Sequence, residues 1–377
     1  MSHGSESDES ATEAGAEASE SVPILGAVRE RFEVPALLAI VAVMLWIRLR
    51  SYSNFVRDGE VFFRGNDAWY HLRSTQYVVR NWPSNMPFDP WTNFSQGTFV
   101  GQFGTLYDQI VATAALIVGL GDPSSTLVAK ALVVTPAVAG ALAALPTYLL
   151  GKRLAGRAAG LFGAVVLLLL PGEFLRRTLV GFADHNAAEP LFQATAVAAF
   201  AVALAVAQKD RPIWELVTAG DWNALRRPAL WSALAGVATG LYIWVWPPGI
   251  LLIGIFAVYL VLQTVSDFGV RSPDHVAFVA VVSMVTTAAV TLLKFQEATF
   301  SPTKIGFLHP AFALVVAASA VGLAALARVF DGRTFDNDWV DQSGFGAVVS
   351  TAAAAAVAVV AFLDVGVVGL IRTNLLR

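Results

Sequence analysis

The chain has 377 residues, of which 56% are hydrophobic and only 14% charged, against about 25% charge in an average soluble domain. That balance excludes a soluble enzyme, and a net charge of -3 excludes a nucleic-acid binder recruited by bulk positive charge. The absence of cysteine removes disulfides, thiolate nucleophiles and Cys-ligated zinc together.

Residues 1–32 open with a Ser/Ala/Glu/Gly tract that carries Glu6, Asp8, Glu9, Glu13, Glu17 and Glu20, with no Lys or Arg before Arg29. Such a tract cannot bury apolar area, which predicts a disordered acidic tail. It is the reverse of a signal peptide, so the first apolar helix is expected to stay as an anchor. The acidity fits a high-salt host as well as an ordinary solvated tail.

A helix needs about 20 apolar residues to cross a hydrocarbon core. Candidates follow at 33–50, 127–150, 157–171, 187–207, 230–246, 249–266, 275–293, 308–328 and 345–370, about nine spans in an all-α membrane domain over 33–377. The stretch 108–121 is shorter and ends in Gly-Leu-Gly-Asp-Pro, which reads as the close of a loop or a re-entrant helix. Lys152, Arg153 and Arg157 fall in one short loop, Lys209, Arg211, Arg226 and Arg227 in another, and Arg328 and Arg333 in a third. The bias of basic short loops makes that side, and the N-terminus, cytoplasmic. The first outer loop, 51–107, and the second, 172–186, then face the other way. The first breaks the charge rule, with Arg48, Arg50, Arg57, Arg64, Arg73 and Arg80 counted to it, and is expected to meet something anionic.

Two constellations lie in those outer loops. In Phe63-Arg64-Gly65-Asn66-Asp67-Ala68-Trp69-Tyr70-His71-Leu72-Arg73, Asp67 sits at a helix start, where it also reads as a plain N-cap. In Arg176-Arg177-Thr178-Leu179-Val180-Gly181-Phe182-Ala183-Asp184-His185-Asn186, continued to Glu189, four oxygen or nitrogen ligands fall within six residues. Asp184 and Asn186 are two apart and share one side if the segment is extended. Carboxylate and amide oxygens suit Mg²⁺, and Mn²⁺ also accepts imidazole. A cap for the next span is the plainer reading of this motif too.

Together, Gly-x-Asp followed by Trp-Tyr-His-x-Arg, and Arg-Thr-x-x-Gly-x-x-Asp-x-Asn, resemble the archaeal oligosaccharyltransferase catalytic subunit of the AglB type, and the likeness runs through span order and loop lengths along the chain. The resemblance implies a GT-C glycosyltransferase fold in the cell membrane of a haloarchaeal host, with its site extracytoplasmic. It implies transfer of an oligosaccharide from a dolichyl phosphate-type carrier to Asn in Asn-X-Ser/Thr sequons, with Mn²⁺ or Mg²⁺ as cofactor. Carried over position by position, Asp67 matches an acid that holds both metal and acceptor, and Asp184 and Asn186 match the two metal positions of the second motif. Asn186 departs from the usual Asp-x-Asp, Glu-x-Asp or Asp-x-His, and Gln102 stands where relatives have a His before Phe-Gly-Pro-Leu. Two neutral amides imply weaker metal binding. Arg177 has a fork that suits a phosphate, with plain snorkelling as the alternative. No Trp-Trp-Asp-Tyr-Gly follows, and Glu297 lies outside the family's glutamate loop. The resemblance therefore implies the membrane half of such an enzyme, without its soluble C-terminal domain. The alternatives are another polyprenyl-phosphate-dependent transferase and a secondary transporter, the latter disfavoured because no internal repeat is visible.

Overall fold

The computed structural model describes residues 31–100, 104–208, 212–269, 272–295, 298–331 and 343–351. The acidic tail to residue 30, Gln102, Lys209, Arg211, Glu297, Arg333 and most of the ninth candidate span lie outside them. Among the described residues, seven helical stretches are long and apolar enough to cross a membrane. The expectation of about nine counted the 45-residue stretch Ser125–Leu169 as two spans. That stretch holds α4 (Ser125–Leu142) and α5 (Ala144–Leu169), and α5 breaks at Ala155 and Gly156, where φ reaches 86°. The break is a reversal. A Cβ on Gly160 would lie 2.6 Å from the Tyr148 carbonyl, and one on Gly151 would lie 2.8 Å from that of Ala159, so the two legs run antiparallel in backbone contact.

Before this hairpin come α1 (Glu33–Leu49), α2 (Asp67–Asn81) and α3 (Leu106–Val118). Two small antiparallel ladders decorate the first outer loop, Val56–Arg57 with Glu60–Val61 and Phe88–Asp89 with Thr98–Phe99. At 13 residues α3 is about 20 Å long, too short to cross, as its sequence suggested. After the hairpin come α6 (Glu173–Arg177), α7 (Glu189–Ala207), α8 (Ile213–Thr218), α9 (Trp222–Val245), α10 (Ile250–Asp267), α11 (Asp274–Leu292) and α12 (Leu308–Asp331).

The main core joins α7, α9, α10, α11 and α12 through Phe200, Ile243, Ile253, Phe256 and Met284, with Phe200 and Phe256 stacked at 4.1 Å. A second apolar cluster of Ala68, Tyr107, Val111, Leu132, Ala183 and Val245 seats both outer loops on the bundle. At the far end, Glu33 receives Lys152 and Arg157, and Arg328 pairs with Asp274 while covering the Trp214 ring at 4.8 Å. The basic groups of these short loops therefore sit at the end away from the two motif loops.

Lipid offers helices no hydrophobic drive to associate, so small residues must let backbones meet. Gly236 of α9 is such a place, because a Cβ there would lie 2.3 Å from the Ser283 carbonyl of α11. Gly236→Ala is expected to cost about 1–3 kcal/mol through forced separation of the two helices. Thermal unfolding of the detergent-solubilised protein checks this, with exposed Gly322→Ala as the neutral control.

Candidate active site

The two motif loops meet at one imidazole. α2 begins directly at Asp67, with Asn66 before it and no side-chain cap, so Asp67 is the first helical residue rather than the expected cap. One turn on, His71 is buried. Its Nδ1 lies 2.7 Å from Asp108 Oδ1 of α3, and its Nε2 lies 3.2 Å from both Asp184 Oδ1 and His185 Nδ1. Asp184 and His185 are themselves 2.6 Å apart.

The second loop is not extended. His185–Ala187 form a single 3-10 turn capped by Asp184, whose side chain accepts from the Asn186 backbone N–H. Asp184 and Asn186 still meet, because the Asn186 amide donates to Asp184 Oδ2. Upstream, Gly181 takes φ +87° under the Phe55 ring, and buried Ala183 is held at φ +50°, a left-handed conformation unfavourable for any residue with a Cβ. Backbone bonds from Gly181 N to Val133 O and from Arg64 N to Gly181 O over-determine that turn, which is how strain persists at a site.

Burial would lower the His71 pKa, but Asp108 and Asp184 on its two nitrogens outweigh this and raise it to about 10. For Asp184, burial works against the charge, and the His185 and His71 rings overcome it, so the carboxyl is held far below its ordinary range. When His71 donates from Nδ1 to Asp108, its Nε2 faces a carboxylate and a second imidazole nitrogen. Something positive belongs between them, a proton or a metal ion. Donors at about 2.1 Å from one ion stand about 3 Å apart. In the triangle of His71 Nε2, Asp184 Oδ1 and His185 Nδ1, the two edges at His71, 3.2 Å each, meet that requirement, and the 2.6 Å edge between Asp184 and His185 is shorter, as in a hydrogen bond between them. Two imidazoles and one carboxylate suit Mn²⁺, Zn²⁺ or Fe²⁺ better than Mg²⁺. Asp108 behind His71 stands where an outer carboxylate orients the histidine in metal sites.

Arg177 donates to Asn186 Oδ1 and to Glu173, and with Phe174, Thr178, Glu189 and Pro190 these line an open cleft beside the cluster. Asp67 is exposed one turn from His71, outside the triangle.

The family model described as "Oligosaccharyl transferase STT3, N-terminal" matches residues 36–375. The chain belongs to that family. It is 59% identical over 322 residues to the dolichyl-monophosphooligosaccharide–protein glycotransferase AglB of Haloferax volcanii, covering 85% of this chain and 30% of that relative. It spans about a third of the length of the curated relatives it matches. The archaeal oligosaccharyltransferase AglB of Archaeoglobus fulgidus, in complex with an inhibitory peptide and a dolichol-phosphate, shares the fold at a TM-score of 0.74 and 23% identity, over 92% of this chain and 39% of that one. A structure of the Archaeoglobus fulgidus oligosaccharyltransferase in complex with Zn and sulfate aligns at 0.72 and 23% identity, over 90% and 40%.

In this member of the STT3 family, Asp184, Asn186 and Arg177 come together while Gln102 is outside the described residues. Sequence reading left His71 without a role, kept His185 as one ligand among four, and passed over Asp108. The signal for Asp108 was an acid in an otherwise apolar helix, a functional flag in a membrane protein.

Lys294, just beyond α11, reaches Thr105 Oγ1 and Gln109 Oε1 at 3.0 Å each, either side of Asp108 in α3, and lies over the Trp244 ring. Burial lowers its pKa to about 8, with Asp108 opposing the shift. Acylation of Lys294 by an amine reagent, followed by mass spectrometry, should therefore reach half its maximal rate near pH 8. For Gln109→Ala in α3, where one hydrogen bond to the ammonium is gone, the profile should move lower still.

Proposed function

We propose that this chain forms the membrane catalytic part of an enzyme that transfers an oligosaccharide from a dolichyl phosphate-type lipid carrier to Asn of Asn-X-Ser/Thr sequons. The observation that carries the reading is the convergence of both motif loops on His71, Asp184 and His185. Family membership supports it, as do the activity named for the Haloferax relative and the dolichol-phosphate and peptide named for the Archaeoglobus structure.

In this reading the site holds one divalent ion, with His71, Asp184 and His185 as ligands and Asp67 and Asn186 at its rim. Gln102 belongs to the same ligand proposal on family grounds. A bound divalent ion would offset the negative charge that develops on the phosphate leaving group. An amide nitrogen is a poor nucleophile, so the chain must orient it and accept its proton. Asp67, exposed one turn before His71 on the same helix, is the group we assign to that task. Arg177, half-buried beside the cleft and anchored on Asn186, is the group for the carrier phosphate.

The site faces outward in the proposed orientation. Its support is that Lys152, Arg153, Arg157, Arg226, Arg227 and Arg328 sit at the opposite ends of their helices from the motif loops, which the positive-inside bias assigns to the cytoplasm.

Two experiments test this reading. Asp184→Ala and His71→Ala in the intact enzyme should each abolish Mn²⁺ binding measured by EPR, and Asp67→Asn should abolish sequon glycosylation at unchanged expression. Transfer that survives EDTA and all three substitutions sinks the metal role. Because the chain has no cysteine, single cysteines at the exposed positions 67 and 176, one in each motif loop, can be probed with a membrane-impermeant maleimide. Both should label from outside intact cells, and protection of either one contradicts the orientation.

A further inference from the structure

Arg48, in the last turn of α1, is completely buried. Among the described residues no carboxylate pairs with it, and one of its terminal nitrogens has no hydrogen-bond partner. A buried cation without a counter-ion is costly to maintain, and an apolar side chain of similar volume would pack at lower cost. Its contacts indicate what it is kept for. Nε donates to Thr178 Oγ1 at 2.9 Å, across 130 residues of chain, and Nη1 donates to the Met44 carbonyl at 3.3 Å. The guanidinium lies over the Phe174 ring at 5.1 Å. The Arg48 carbonyl accepts from the Val180 N–H at 3.1 Å.

All but the Met44 contact fall on residues 174–180, the segment that leads into the second motif. Thr178 follows Arg177 directly, and Val180 precedes the Gly181 turn. The third wall is α4, where a Cβ on Gly140 would lie 2.4 Å from Thr178 Cβ and 2.8 Å from Arg48 Nε. Neither side chain has room to turn aside. A planar fork with fixed donor directions defines the position of its partner, which a lysine on a flexible stem does not.

We propose that Arg48 is a positioning residue: locked between α1 and α4, it holds Thr178 and Val180 in place and thereby aims Arg177 and the Asp184–Asn186 turn. This deepens the proposed metal site and rests on it for one of two readouts. Arg48 touches no reacting group. Its effect runs through Thr178, so the two residues act as one unit.

The test uses the complete protein in lipid nanodiscs, with Arg48→Met, Arg48→Lys and Thr178→Val and the Met–Val double variant. A nitroxide on Arg176→Cys, the single cysteine in that background, reports motion of the segment, and Mn²⁺ binding is titrated on unlabelled protein by EPR. Each variant is expected to free the nitroxide and to weaken Mn²⁺ binding about tenfold or more, the usual loss when support behind a ligand is removed. The double variant should be no worse than either single one, as for partners in one interaction. Should Arg48→Met not fold, Arg48→Lys and Thr178→Val carry the comparison. Unchanged nitroxide motion overturns the proposal whatever the ion does, and so does a freed segment with unaltered Mn²⁺ affinity. A parent protein that binds no Mn²⁺ overturns the metal reading instead, and the nitroxide result then decides on Arg48 alone.

Discussion

The arrangement of this end of the molecule depends on a buried imidazole held between two carboxylates. Away from water a charge is tolerated only when paired and hydrogen-bonded, and here each group supplies what the others need. Asp108 fixes the His71 ring from α3, and Asp184 closes on its other nitrogen from the second loop. Remove the ring, and two acids face each other in an apolar seat made of Ala68, Tyr107, Leu132 and Val245. The outer loops are thus tied to each other by charge and to the bundle by apolar contact.

That tie works only if the bundle offers a rigid floor. Close approach through glycine gives one, at Gly236 against α11 and at Gly140 against Thr178. The hydroxyl-bearing residues of α11 satisfy themselves on their own helix, as Ser283 does on Val279 O and Thr286 on Val282 O, while Thr287 also reaches Gly236 O. These α11 hydroxyls therefore leave no donor seeking water, and α9 and α11 can pack at the distance their small residues allow.

Much of this was legible in the sequence for physical reasons. Apolar run length marks a helix that must stand in lipid, and among the described residues it found each long apolar helix, including the two legs that meet at Gly156, although the helix expected at 230–246 begins at Trp222. The motif acids stood out because an acid next to long apolar runs is expensive. Local geometry was harder to read. Asp67 looked like a cap and is the first residue of its helix, since Gly65 with φ +91° already turns the chain before it. The second loop looked extended and is a tight turn, because the bonds that bend it come from Val133, 48 positions before Gly181, and from Arg64. His71 lay in plain view, but its role is defined by Asp108, 37 residues on, and Asp184, 113 residues on. Pairings at such separations leave no mark on either local pattern.

Those separations carry a consequence for biogenesis. His71 and Asp108 are synthesised before the hairpin Ser125–Leu169, and Asp184 and His185 after it. The first half of the cluster must wait in an unfinished outer loop until the hairpin has entered the bilayer and returned the chain to the same side. The cluster cannot close earlier, whatever ions surround the nascent chain. Completion of the site is therefore an event of membrane insertion, and a defect in the turn at Ala155 and Gly156, at the opposite end of the molecule, would leave the His71–Asp108 pair and the Asp184–His185 turn on segments that never meet.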